Sequence, residues 1–297
     1  MVRYISLIVA FLCLVSNAFS QEKKTYVFKD RYTKSVQNFI NQSSHFEDIK
    51  IMTGNMLTSD KNKVDYKKVE NNLKKLYPSE NASGMLCIDL EHSGYNALKG
   101  NSITRFKKVS DKQFKEAEKE FIQLIKFIKS KRPKLQVGYY GMPFKIYKAS
   151  EKRTGSDKML DNILKEADVL MPSFYMPYPA AHNGSAANQK YLEVNLKGAL
   201  EAGNRLNKPV LPFFWYLIFS PEKKFSYELI SKEEMKTYTD YILKYNLNGK
   251  EVMGIIWWDS ATPFYKKNKG MIKQNYIESK HRKQDINQAE LFYYYFK

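Results

Sequence analysis

Short apolar runs alternate along the chain with longer segments in which apolar side chains return every three or four positions. The runs at 25–28, 49–53, 85–91, 135–140, 169–175, 210–216 and 252–258 predict strands, because strands covered on both faces read as nearly continuous hydrophobicity. Between them, 66–76, 158–165, 187–206 and 232–245 carry the helical period. The clearest helix follows Ser110 and Asp111, either of which can serve as N-cap. Phe114, Ala117, Phe121, Leu124, Ile125 and Ile128 then recur on one face. Arg132-Pro133 ends that helix, Asn207-Lys208-Pro209 stops the one at 187–206, and residues 246–249 close the one at 232–245. Such βαβα order implies parallel strands with right-handed crossovers. The expected fold is α/β, a TIM-like (β/α) barrel of about seven or eight parallel strands. No repeat or low-complexity linker divides the 297 residues, so 21–297 is expected to be one domain.

The N-terminus reads differently. Arg3 precedes an apolar run over 5–15, and Ala18-Phe19-Ser20 offers a small-x-small cleavage site before Gln21. Residues 1–20 are expected to be a signal peptide, with a retained signal anchor as the competing reading. The mature chain is then secreted or periplasmic, monomeric and without a membrane span. Cys13 lies in that segment, so Cys87 stands alone in the mature chain and an intramolecular disulfide is excluded. Stability must come from a large core, which 43% hydrophobic residues can supply. Cys87 sits in the apolar run 85–88, a setting for packing rather than for attack.

The formal charge is +18, or +17 once Arg3 leaves with the signal (18 − 1). Such a field favours polyanionic partners. An anionic polysaccharide is the expected one, since no nucleic-acid motif is present and export argues against nucleic acid. The lysines are spread along the whole chain, which fits a general surface bias as well as a groove. The four histidines show no zinc spacing, and no Gly-rich phosphate loop or Gly-x-Ser-x-Gly elbow occurs, so neither metal nor cofactor is expected.

Candidate chemistry collects at the predicted carboxyl ends of strands: Asp89 and Glu91, Tyr139 and Tyr140, Tyr175, Trp215 and Tyr216, Trp257 and Trp258. Asp89 and Glu91 are two apart, so both face the same way on a strand. Their apolar neighbours favour a raised pKa for one of them, and an acid beside a carboxylate suits glycosidic cleavage. A strand that simply ends at Glu91 with both acids solvated gives the same pattern. The aromatic ends fit sugar stacking and barrel packing alike. His92 would point to the opposite strand face and is read as structural.

Several of these segments resemble animal and venom hyaluronidases, in family order over about residues 85–260. Ile88-Asp89-Leu90-Glu91 resembles the strand bearing that family's acid pair. Arg132-Pro133 with Gly138-Tyr139-Tyr140-Gly141-Met142-Pro143 is similar to its Arg-Pro…Gly-Tyr-Tyr-Gly-Phe-Pro segment. Pro172-Ser173-Phe174-Tyr175 is similar to Pro-Ser-Ile-Tyr, and Gly254-Ile255-Ile256-Trp257-Trp258 to Gly-Val-Val-x-Trp. The resemblance implies a barrel glycosidase that cleaves hyaluronan or chondroitin at an N-acetylhexosamine, with the substrate's acetamido oxygen as nucleophile. It further implies Glu91 as general acid and then base, Asp89 as the group orienting the acetamido nitrogen, and Tyr175 as a positioning residue. Tyr139, Tyr140, Tyr216 and Trp258 would bind sugar. His92-Ser93-Gly94-Tyr95 replaces the family's Trp-Arg-Pro-like stretch, and the Asp-Cys-Tyr-Asn after Pro143 is missing. With no disulfides and this lysine usage, the chain looks like a distant, bacterial relative. Other N-acetylhexosamine glycans, or a non-catalytic polysaccharide-binding barrel, are the alternatives.

Overall fold

The computed structural model describes residues 23–59, 63–103, 106–147, 158–259 and 288–296, so the expected signal segment lies outside the described residues. Seven strands are present among them: β1 (Lys24–Val27), β2 (Phe46–Asp48), β3 (Lys50–Thr53), β4 (Gly84–Asp89), β5 (Leu135–Tyr139), β6 (Phe213–Trp215) and β7 (Gly254–Trp258). Every pairing between them is parallel. They form two sheets, of order β2-β1-β7-β6 and β3-β4-β5.

The expected parallel α/β strands are present, but among the described residues they form two sheets and not a closed barrel, and prolines explain part of the break. The run at 169–175 forms only isolated bridges, because Pro172 has no N–H to give a ladder. It nevertheless lies between the sheets. Asp168 N–H donates to Val137 O and Gly141 N–H to Met171 O, each at 2.8 Å. On its other side Leu211 N–H donates to Leu170 O at 2.8 Å and Phe213 N–H to Pro172 O at 2.7 Å. Pro209 and Pro212 likewise shorten the expected strand at 210–216 to β6. At the opposite junction only Ile49 separates β2 from β3, and its N–H donates to Val27 O at 3.0 Å. This extended run therefore pairs first with β1 and then with β4.

The longer helices are α1 (Lys34–Asn41), α2 (Tyr66–Leu76), α3 (Ser93–Ser102), α4 (Asp111–Lys131), α5 (Asp161–Glu166), α6 (Ser185–Leu206), α7 (Lys232–Lys244) and α8 (Gln288–Phe296). α4 starts where its capping box predicts: Ser110 accepts from Gln113 N–H while the Gln113 side chain returns to the Ser110 backbone. All six apolar residues of its predicted face are buried. Asn207 takes a left-handed conformation (φ 53°) and turns the chain out of α6 toward β6. α8 packs Phe292 against Tyr32 and Phe46, with ring centroids 4.9 and 5.6 Å away.

Arg132 shows what the Arg-Pro pair does here. Only 2% exposed, it donates from Nε to Tyr77 O at 2.8 Å and from Nη2 to Pro78 O at 3.4 Å, tying the end of α2 to the end of α4. Arg132→Met should cost about 2–3 kcal/mol by leaving those carbonyls unpaired. A lower denaturant midpoint at unchanged slope would show it.

Candidate active site

Because all the strands run the same way, their carboxyl ends meet at one end of the fold, and β4 ends there at Asp89. Alternate positions share a face, so Cys87, Asp89 and Glu91 point together while Leu90 and His92 point oppositely. His92 behaves as expected of a structural residue. Its Nδ1 accepts from Tyr95 N–H at the start of α3, and its Nε2 lies 2.7 Å from Glu120 Oε2 on α4.

A row of rings shares the space with the two acids. Tyr140 lies edge-on to Phe213, with centroids 4.9 Å apart, and 6.1 Å from Tyr175. Tyr175 lies 5.3 Å from Trp215, and Phe213 6.1 Å from Trp258. Arg31 approaches from the other side, with its Cζ 4.9 Å from the Trp258 ring. The structure thus brings Asp89, Glu91, Tyr140, Tyr175 and Trp258 to one mouth.

Two sequence candidates are corrected. Tyr139 and Tyr216 face away from it, because each is the immediate neighbour of an inward residue and the strand period is two. Tyr139 packs on Phe121 of α4 and donates its hydroxyl to Phe121 O at 2.7 Å. Tyr216 donates to Asp259 Oδ1 at 2.7 Å and stacks between Trp257 and Tyr295 of α8. Trp215 is the mouth residue on β6, and its even spacing from Phe213 is the signal that finds it.

Loops supply residues that no pattern marked. Gly141 follows β5 at φ 74°, and a Cβ there would lie 2.4 Å from the Tyr95 hydroxyl, so only glycine admits Tyr95 so close. Further along that loop, Lys145 donates to Tyr175 O at 3.1 Å. From α3, Lys99 reaches over the rings of Phe106 and Tyr147.

Burial, and then the charge of Glu91, push Asp89 up to about 7, against the pull of Arg31. Glu91 is accessible to solvent, yet the protein around its carboxyl group raises its pKa; Lys99 and Lys145 oppose the rise. Asp89 therefore titrates near neutrality beside a second carboxyl group, a setting in which a proton can be moved to and from an oxygen. Among the described residues Asp89 Oδ1 is buried without a hydrogen-bond partner, while Ser173 Oγ and Tyr175 Oη have the Tyr140 hydroxyl as their polar neighbour. Among the described residues no cluster of His, Cys, Asp and Glu is suited to a metal ion.

No family of known sequences matches the chain, and no curated protein matches it. Solved structures do. Bee venom hyaluronidase superposes with a TM-score of 0.60, covering 87% of this chain and 98% of that one at 16% identity. The chain has the hyaluronidase fold. The same venom hyaluronidase in complex with a hyaluronic acid tetramer matches at TM-score 0.51 and 17% identity, covering 77% of this chain and 83% of that one. At such identities the likeness to the hyaluronidase is one of fold, and chemistry must be argued from the residues above.

Tyr175 and Tyr139 offer a paired check on the corrected assignment. Tyr175→Phe should lower turnover by at least about tenfold while preserving the fold, if its hydroxyl positions the reacting group. Tyr139→Phe should instead lower stability by about 1 kcal/mol, through loss of a buried hydrogen bond. Thermal unfolding and turnover measured on both variants separate the two.

Proposed function

We propose that the chain is a retaining endo-glycosidase that cleaves N-acetylhexosaminidic bonds of a glycosaminoglycan, hyaluronan or chondroitin, by substrate assistance. The observation that carries this reading is the Asp89–Glu91 pair, with Asp89 titrating near neutrality in an aromatic-walled mouth. The hyaluronidase fold supports it. The two parallel sheets, with the segment at 169–175 between them, are taken as the wall of a TIM-like barrel. Residues 1–20 are taken as an export signal.

With Asp89 ionised against the acetamido N–H, the proton of the pair sits on Glu91, which gives it to the glycosidic oxygen as the C–O bond breaks while the acetamido oxygen bonds to the anomeric carbon. Asp89, ionised at that stage, accepts a hydrogen bond from the acetamido N–H and offsets the positive charge of the cyclic intermediate. Tyr175 orients the acetamido group, and Tyr140, Trp215 and Trp258 wall the sugar. Water then adds to the anomeric carbon, Glu91 takes its proton, and the acetamido group is released with overall retention. The route needs no protein nucleophile, one of the known departures from the two-carboxylate scheme.

The test is a panel of hyaluronan, chondroitin and a neutral chitooligosaccharide, with product ends read by mass spectrometry. Saturated non-reducing uronates are expected, since water is added; an unsaturated uronate would mean a lyase. Raising salt should raise the Michaelis constant for the anionic polymers, because a basic surface that binds a polyanion releases condensed ions. Turnover at saturation should change little. A flat response, with faster cleavage of the neutral polymer, overturns the glycosaminoglycan assignment.

A further inference from the structure

Lys145 is an unusual residue to find at the mouth. It is 7% exposed, and among the described residues its Nζ donates a single hydrogen bond, to Tyr175 O. Three rings surround the ammonium, those of Tyr147 and Tyr175 at 5.2 Å and Phe219 at 5.7 Å. No carboxylate among the described residues forms an ion pair with it; burial and then the charge of Lys99 push its pKa well down and Glu91 opposes them, so an anion brought to this place would hold the ammonium charged. Taking an ammonium out of water is costly, and rings and one carbonyl offset only part of this. Two of its three N–H donors remain for something else.

A second cation comes to the same place from a different element. Lys99 of α3 lies over the Tyr147 ring that Lys145 also covers. Both lysines act on Glu91, whereas the cation acting on Asp89 is Arg31. The two acids therefore have separate cationic neighbours. In the mechanism above Glu91 protonates the leaving oxygen, so the sugar carrying that oxygen lies on the lysine side. In a polymer that alternates N-acetylhexosamine with an acidic sugar, that next residue is the acidic one.

We propose that Lys145, with Lys99 beside it, forms a subsite for the anionic group of the sugar on the leaving side of the scissile bond. Lys145 is thereby the residue that makes the chain prefer an acidic polymer over a neutral N-acetylhexosamine polymer. This deepens the glycosidase reading and rests on it. The anion is a carboxylate or a sulfate ester, and the pairing is buried, so it differs from the diffuse attraction of the surface lysines.

The experiment compares the full chain with Lys145→Met and Lys145→Gln on hyaluronan, chondroitin sulfate and a chitooligosaccharide, at low and high salt. The ratio of kcat/KM on acidic over neutral substrate should fall at least about tenfold in both variants, mainly through KM. The fall should persist at high salt, because a buried pair is little screened. Similar falls on hyaluronan and chondroitin sulfate identify a carboxylate, and a larger fall on the sulfated polymer identifies a sulfate ester. Equal losses on acidic and neutral substrates would overturn the proposal and leave Lys145 as a support for Tyr175, as would no loss on either. Lys145→Gln keeps a donor for Tyr175 O and serves if Lys145→Met does not fold. Should the unaltered chain cleave none of the polymers, the glycosidase reading fails separately. Calorimetric binding of acidic and neutral tetrasaccharides to the unaltered chain and Lys145→Gln still decides the subsite: lost acidic preference in the variant supports it, and unchanged preference overturns it.

Discussion

Replacing Glu91 by glutamine should lower turnover on a polymeric substrate by at least about 10²–10⁴-fold, the contribution expected of a general acid. The amide has nearly the shape of the carboxyl group but no proton to give to a departing sugar oxygen. Folding should be little affected, because Glu91 is accessible to solvent and makes no structural ion pair among the described residues. A substrate with a nitrophenyl leaving group needs no proton to depart, so its first step should lose far less. That contrast separates loss of the acid from general damage to the mouth. The same substitution removes the negative charge that helps hold Asp89 up, so Asp89 should titrate closer to an ordinary aspartate. Near-normal turnover on the polymer would end the assignment.

Asp89→Asn is expected to move activity and stability in opposite directions. Turnover should fall, by about 10²-fold or more, because the charge is needed as the cationic intermediate develops, while substrate binding is comparatively preserved. Stability follows from the sign of the shift. An unfolded aspartate titrates near ~3.9, whereas Asp89 in the fold holds its proton to about 7. The folded state thus binds more protons than the unfolded one across that window, and stability falls as pH rises through it. The contribution is fully present below the unfolded value and gone above about 7. There the buried charge costs on the order of 2–4 kcal/mol. The asparagine variant should therefore melt higher than the parent at pH 8 and lose that advantage toward pH 4. Melting curves across this range check it; an equal or lower melting temperature at pH 8 would show that Asp89 is not the strained member of the pair.

Much of this arrangement was legible because strands and helices have fixed periods. The period of 3.6 gave α4, whose predicted buried face and Ser110 cap match the structure. The period of two placed Asp89 and Glu91 on one side of β4. It could not say which member of an adjacent aromatic pair turns inward. Tyr139 and Tyr140, like Trp215 and Tyr216, are equivalent in composition, and the tertiary neighbours Phe121 and Asp259 take the outward member. The break at Pro172 was visible as a residue, but not its effect on the sheets. Lys99 and Lys145 gave no sign at all. With 49 lysines and arginines in the chain, nothing local marks the two that turn toward an acid. Their place depends on loop geometry, which propensity and periodicity do not encode.

Cys87 lies one inward position below Asp89, fully buried, and burial pushes its thiol well above the usual range. Such a sulfur is inert to alkylating reagents while the sheet is intact, because only the exposed thiolate reacts. Labelling at this position therefore times the opening of β4 itself, the strand on which the acid pair is mounted. A saccharide that settles on Asp89 and Glu91 would slow that clock, whether or not it is ever cleaved. Occupancy of the mouth can thus be followed by mass spectrometry of one native thiol, with no engineered probe and no turnover of the saccharide required.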